Sequence, residues 1–210
     1  TGFTNVSRVF QVPVHNYRHA SRETYDFVVL DPPYAAPDIV ETLELLADSV
    51  GLRPFLADTD ELDCTRPFAS LADALDCRRA SPDGLRSEIA SLIDEGASEF
   101  RIVERFAELL ERMALEGPLL VVIDDLQWSD VSTVTALRFT TRRLIDVPVS
   151  FVLAFRPIPR GHELDSFIDA SIRTGAMHVT LSPLTDDAVV GLVEEIVGCP
   201  PGPRLRSLVA

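Results

Sequence analysis

Short, wholly apolar runs alternate along this chain with longer stretches whose apolar residues recur at helical spacing, the pattern of a layered α/β fold built on a mainly parallel sheet. Val6 to Val14 and Tyr25 to Leu30 read as strands. After the Asp31-Pro32-Pro33-Tyr34 turn, Ile39, Val40, Leu43, Leu46, Ala47 and Val50 share one face of a predicted helix over Pro37 to Val50, which Gly51 ends. Pro54 to Ala57 reads as another strand. A polar stretch rich in Asp, Arg and Pro follows, to about Gly84, with one short apolar helix over Phe68 to Leu75.

Phe100, Val103, Phe106, Ala107, Leu110 and Met113 predict an amphipathic helix closed by Gly117-Pro118, with Glu104, Glu108 and Glu111 on its solvated face. The run Leu119 to Ile123 is apolar at every position, as a central parallel strand covered on both faces must be. Ser129 or Asp130 then caps a helix to about Leu144, a second apolar strand spans Val149 to Phe155, and a third runs Met177 to Leu181. Thr185, Asp186 and Asp187 suit the positive end of a last amphipathic helix through Ile196. No repeat or low-complexity segment interrupts this order.

Composition narrows the function classes. The 210 residues are 46% hydrophobic and 25% charged, enough for one good core or one and a half small ones. A net charge of -14 repels phosphate backbones and anionic lipid, so a nucleic-acid surface is not expected here. All 19 basic residues are arginine, so lysine chemistry is excluded. Cys64, Cys77 and Cys199 are odd in number and widely spaced, which supports neither a disulfide framework nor a zinc site. No run reaches the ~20 apolar residues of a membrane span; a cytoplasmic setting is expected. The start without Met and the apolar Leu208-Val209-Ala210 end are what a piece of a longer protein would show.

Parallel α/β sheets bind ligands at the carboxyl ends of their strands. An apolar strand finishing in Asp124-Asp125 therefore places two carboxylates where a ligand would sit, although a solvated strand-end turn would present the same residues. The wider string from Gly117 to Asp130, with Asp124-Asp125-Leu126-Gln127-Trp128 at its centre, closely resembles the Walker B region of STAND-type ATPases, a branch of the AAA-type P-loop NTPases. More narrowly it is similar to the large ATP-binding LuxR-type transcriptional regulators of bacteria. Arg142-Arg143-Leu144, the strand ending in Arg156-Pro157, the Leu181-Ser182-Pro183-Leu184 motif and the segment Asp60 to Phe68 extend the likeness over residues 54–210.

The resemblance implies a P-loop NTPase fold, three-layered, incomplete and mainly parallel. Its core would span residues 54–182 and the start of a helical subdomain residues 183–210. It further implies ATP and Mg²⁺ as cofactors, with Asp124 on the metal, Asp125 orienting or deprotonating the attacking water, and Arg156 facing the phosphates. Its partners would be nucleotide and the other domains of a larger regulator, with no membrane. Trp128 and Gln127 are expected to be packing and turn residues.

A P-loop needs converging backbone N–H groups, a lysine and a Ser or Thr. Where the loop should lie, near Leu30 to Val40, the chain has no glycine, three prolines and no lysine. The same stretch, Tyr25 to Tyr34, instead resembles the D-P-P-Y motif of bacterial 16S rRNA guanine-N2 methyltransferases, a likeness that covers residues 1–53. It implies that Asp31, Pro32, Pro33 and Tyr34 grip a flipped base, with S-adenosylmethionine as the alternative cofactor; a rigid strand-to-helix turn would look the same. Either parent supplies strand, turn and helix here, so a junction near Gly51 to Phe55 would still complete one sheet and leave P-loop topology without a P-loop. His15 and His19 read as surface residues, and Arg78-Arg79 and Arg142-Arg143 as basic pairs on helix surfaces.

Overall fold

The computed structural model describes residues 9–11, 27–31, 51–156 and 161–180, together with positions 190, 191, 193, 194, 198, 199 and 202. Six strands form one sheet: β1 (Val9–Gln11), β2 (Phe27–Asp31), β3 (Arg53–Asp58), β4 (Leu119–Asp124), β5 (Val149–Ala154) and β6 (Met177–Thr180). Their spatial order is β1-β6-β2-β5-β4-β3, and every pairing is parallel. Among the described residues five α-helices have both ends placed: α1 (Ala69–Ala74), α2 (Gly84–Asp94), α3 (Glu99–Ala114), α4 (Val131–Arg143) and α5 (His162–Arg173). The expected α/β class and parallel sheet are therefore observed.

The sheet is buried on both faces where it matters. Leu119, Val121 and Ile123 of β4 and Val149, Phe151 and Leu153 of β5 join α1 to α5 in one hydrophobic cluster. The alternate residues Leu120, Val122 and Val152 are buried outside that cluster, on the opposite face, because side chains of a strand alternate. Right-handed crossovers explain the grouping: β3, β4, β5 and β6 succeed one another in a single direction across the sheet, so the helices between them stack on one side. β2 lies between β5 and β6, so the segment ending in Asp31 supplies a central strand.

Most expected elements appear within a residue or two. Two helices were not anticipated, α2 and α5. Phe100 belongs to α3 but not to its apolar face; it is 63% exposed, and its ring meets Phe139 edge-on at 6.4 Å. The other expected positions, Val103, Phe106, Ala107, Leu110 and Met113, are buried, and Ile102 and Leu109 join them. The glutamates opposite are ion-paired, with Glu111 on Arg143 and Glu108 on Arg105. Arg78 and Arg79 sit in the turn between α1 and α2, not on a helix; Arg78 pairs with Asp76 and Arg79 with Asp94. The helix expected over Pro37 to Val50, the Leu181 to Leu184 motif and both His15 and His19 lie outside the described residues. Most of the expected helix through Ile196 does as well.

Candidate functional site at the carboxyl edge of the sheet

Parallel strands end together, and here three of them end in aspartate: Asp31 on β2, Asp58 on β3 and Asp124 on β4. Asp58 is the direct register partner of Asp124, an acid that attention to β4 alone overlooks. Its signal is present in the sequence as the polar residue closing Pro54 to Ala57. Next to it Thr59 donates its N–H to the Asp124 carbonyl at 3.2 Å, and its own hydroxyl is buried without a hydrogen-bond partner.

After Asp124 the backbone turns sharply, with Asp125 in the left-handed region at φ 50° and ψ 38°, a conformation aspartate tolerates better than most residues. The turn sends the two carboxylates to different partners. Asp124 Oδ1 accepts the N–H of Asp125 at 2.7 Å. Asp125 instead faces the end of β5, where Arg156 Nε lies 3.3 Å from Oδ1 and Nη2 lies 3.5 Å from Oδ2. Gln127 closes the arrangement: its Nε2 donates to Asp125 Oδ1 at 2.8 Å, and its Oε1 accepts the Arg156 N–H at 2.9 Å. Gln127 is thus the bridge between the ends of β4 and β5, a part that reading it as a turn residue missed.

Burial is the largest influence on Asp124 and raises its carboxyl above the ordinary aspartate range. The negative charges of Asp125 and Asp58 push the same way, while the Asp125 N–H and the Arg156 charge oppose them. A half-buried carboxylate beside two further acids suits a hard cation held by oxygen. Among the described residues no three His, Cys, Asp or Glu groups converge on one point. Behind the site, Ser129 and Ser70 share a hydrogen bond at 2.7 Å, and Asp130 caps α4 by accepting from Thr133 N at 3.0 Å. Pro32, Pro33 and Tyr34 lie outside the described residues, so Asp31 alone of that motif is placed, as the last residue of β2.

This acidic edge on a six-stranded parallel sheet agrees with the sequence profile of the AAA ATPase domain, which matches residues 18–152, well over half of the chain. The chain belongs to the AAA ATPase domain family. The matched stretch runs through β2, and the methyltransferase alternative finds no support in these matches. No curated protein matches the chain.

Solved structures carry the same fold. The ORC1 protein of Aeropyrum pernix, in complex with DNA, superposes with a TM-score of 0.54 at 18% identity, covering 84% of this chain and 44% of that one. Cdc6p from Pyrobaculum aerophilum gives 0.54 at 14% identity, covering 89% and 48%. The ADP form of Aeropyrum pernix ORC2 gives 0.53 at 14% identity, covering 83% and 46%. The chain spans a little under half the length of these proteins, and at such identities the likeness is one of fold.

The sequence after β2 departs from the phosphate-loop pattern. The family fold puts the phosphate-binding loop after the central strand, which here is β2. That strand is followed by Pro32 and Pro33, which have no N–H to offer a phosphate, and by no glycine before Gly51. Lysine is absent throughout the sequence.

Proposed function

We propose that the chain is the ATPase core of a STAND-type signalling regulator of the LuxR kind, in which the metal-side half of the nucleotide site is retained and the phosphate-gripping half is not. The reading rests on one juxtaposition: Asp124, Asp125 and Arg156 meet at the carboxyl edge of an AAA-type sheet, and the sequence that follows its central strand has no lysine and no glycine before Gly51. In this reading Asp124 holds Mg²⁺, Asp125 is the second, water-directed acid, and Arg156 is the phosphate-facing cation. Mg²⁺, when bound, supplies charge neutralisation for phosphate oxygens. The chain's own groups hold Asp125 and Arg156 against one another through Gln127, so each is oriented before any ligand arrives. No hydrolytic step is assigned; with no lysine in the sequence and no glycine between Asp31 and Gly51, the expected behaviour is weak nucleotide binding within a larger regulator.

Calorimetric titration of the chain with Mg-ATP tests this directly. Binding that fails to saturate at micromolar nucleotide supports the impaired site. Micromolar binding abolished by Asp124→Asn would show the metal half to be real and the impairment wrong. The alternative, a fragment of an S-adenosylmethionine-dependent 16S rRNA guanine-N2 methyltransferase using Asp31, rests on the D-P-P-Y likeness, and a parallel titration with S-adenosylmethionine separates it. Saturable binding of that cofactor would favour the methyltransferase origin.

A further inference from the structure

At the amino ends of β5 and β6, between α4 and α5, lies a recess of about 270 Å³. A strand of six residues separates it from the acidic edge, about 17 Å at the usual rise per residue. Its floor is apolar and buried, built from Leu144, Phe151 and Phe167, and the 75% exposed Ile145 stands beside it. Arg138 and Arg142 line the same recess. They are one turn apart on α4, the spacing that puts two side chains on one helix face.

Of the thirteen described arginines five lack a carboxylate ion pair, and Arg138 and Arg142 are the two of these, beside Arg86, Arg101 and Arg173, that line this recess together. Arg53, Arg66, Arg78, Arg79, Arg105, Arg112, Arg143 and Arg156 all pair with carboxylates. Neither Arg138 nor Arg142 has a carboxylate partner among the described residues, in a chain carrying -14 net charge. Arg138 makes one long contact, Nη2 to the Glu163 carbonyl at 3.4 Å. Arg142 stands in the last turn of α4, where it offsets the helix dipole, but Arg143 beside it is already placed to do so. The three hydroxyls lining the recess all donate to helix carbonyls, which leaves the guanidiniums as its strong unused donors.

We infer that this recess is a second ligand site, separate from the acidic edge, that takes a small amphipathic carboxylate. An aryl or branched alkyl body packs on Phe151 and Phe167, and the carboxylate head lies on Arg138 and Arg142. Guanidinium and carboxylate are matched in shape and charge, and an apolar wall with few directed polar groups is the common design of small-molecule pockets. Nothing in this inference depends on nucleotide binding.

The test is a calorimetric titration of the whole chain with 4-phenylbutyrate and with the uncharged 4-phenylbutan-1-ol, repeated in Arg138→Gln/Arg142→Gln and in Arg143→Gln. The carboxylate should bind saturably, about tenfold tighter than the alcohol, and lose about that factor in the double variant. Arg143→Gln, which breaks the Glu111 pair but leaves the recess intact, should bind as the parent does. Melting curves establish that each variant is folded. Absence of saturable carboxylate binding, equal binding of acid and alcohol, or affinity unchanged in a folded double variant each overturns the site.

Discussion

Arg156 and Asp125, just beyond the ends of β5 and β4, meet in a two-point contact, Nε to Oδ1 at 3.3 Å and Nη2 to Oδ2 at 3.5 Å. The pair is partly exposed, so solvent screens it and its own contribution to stability is small, below ~1 kcal/mol. Gln127 contributes more, because its amide satisfies both the Asp125 carboxylate and the Arg156 main-chain N–H. Gln127→Ala is therefore expected to lower unfolding free energy by about 1–2 kcal/mol and Arg156→Gln by less. Urea denaturation of both variants checks the order, and a larger loss in Arg156→Gln would mean that the ion pair, not the amide bridge, holds β4 to β5.

Asp124 carries the opposite sign. Its folded carboxyl titrates above its unfolded value, chiefly through burial. The ionised form thus destabilises the fold, fully so above the folded pKa, and the penalty disappears as pH falls through that value toward the unfolded one. Asn in its place keeps an oxygen for the Asp125 N–H. Asp124→Asn should raise the Tm at neutral pH by a few degrees, and the gain should vanish in acid. A Tm lowered at neutral pH would contradict the assignment. Under the proposed reading of Asp124 as the metal-side carboxylate, function and stability pull the residue in opposite directions.

Local pattern made β3 to β6, α1, α3 and α4 legible, because each is a run or stripe whose periodicity survives in a single window. α5 had the same information in Leu164, Phe167, Ile168 and Ile172, all at helical spacing, but its start behind Pro-Arg-Gly offers no capping side chain. α2 starts at Gly84, inside a Ser-Pro-Asp-Gly turn signal, and only the Asp83 cap, accepting from Leu85 N and Arg86 N, marks it as a helix. At the site, the acids of β4 and the arginine of β5 were readable as types in position. Their contact was not, since it depends on β4 and β5 being sheet neighbours and on the left-handed turn at Asp125. Asp58 was missed for the same reason: a strand-end acid becomes part of a site only through its register with β4.

Asp83 ties α2 to α3. Its Oδ1 caps α2, accepting from Leu85 N at 2.9 Å, and its Oδ2 meets Arg112 of α3. The Arg112 hydrogen bond is the main reason its carboxyl is pulled down to about 2, with the cap N–H groups adding to it. A depressed folded pKa means stability present above the unfolded value near 3.8 and lost as pH falls toward about 2. Asp83→Ala removes both functions and should cost about 1–2 kcal/mol at neutral pH. Asp83→Asn keeps the cap and should cost less than ~1 kcal/mol. Denaturation at pH 7 and pH 2.5 separates them: the difference between parent and Asp83→Asn should shrink in acid, and a constant difference would remove the ion pair from the account.

Cysteine reactivity gives a test of packing that needs no ligand. Cys77 is buried and its thiol is pushed up to about 12, mainly by desolvation, with Asp76, Asp83 and Asp73 adding to the effect and Arg86 opposing it. The thiolate is the reactive form, so Cys77 is protected both by the rarity of that form and by access. Cys64 and Cys199 are exposed and free. A thiol-specific chromogenic reagent at pH 8 should therefore titrate two cysteines quickly in the folded chain and the third only as fast as the region around Leu75 and Ile89 opens. Cys77→Ser should abolish the slow phase and leave the fast amplitude unchanged. Three equally fast thiols would mean that the junction of α1 and α2 is not the closed core that the burial of Phe68, Leu71 and Leu75 describes.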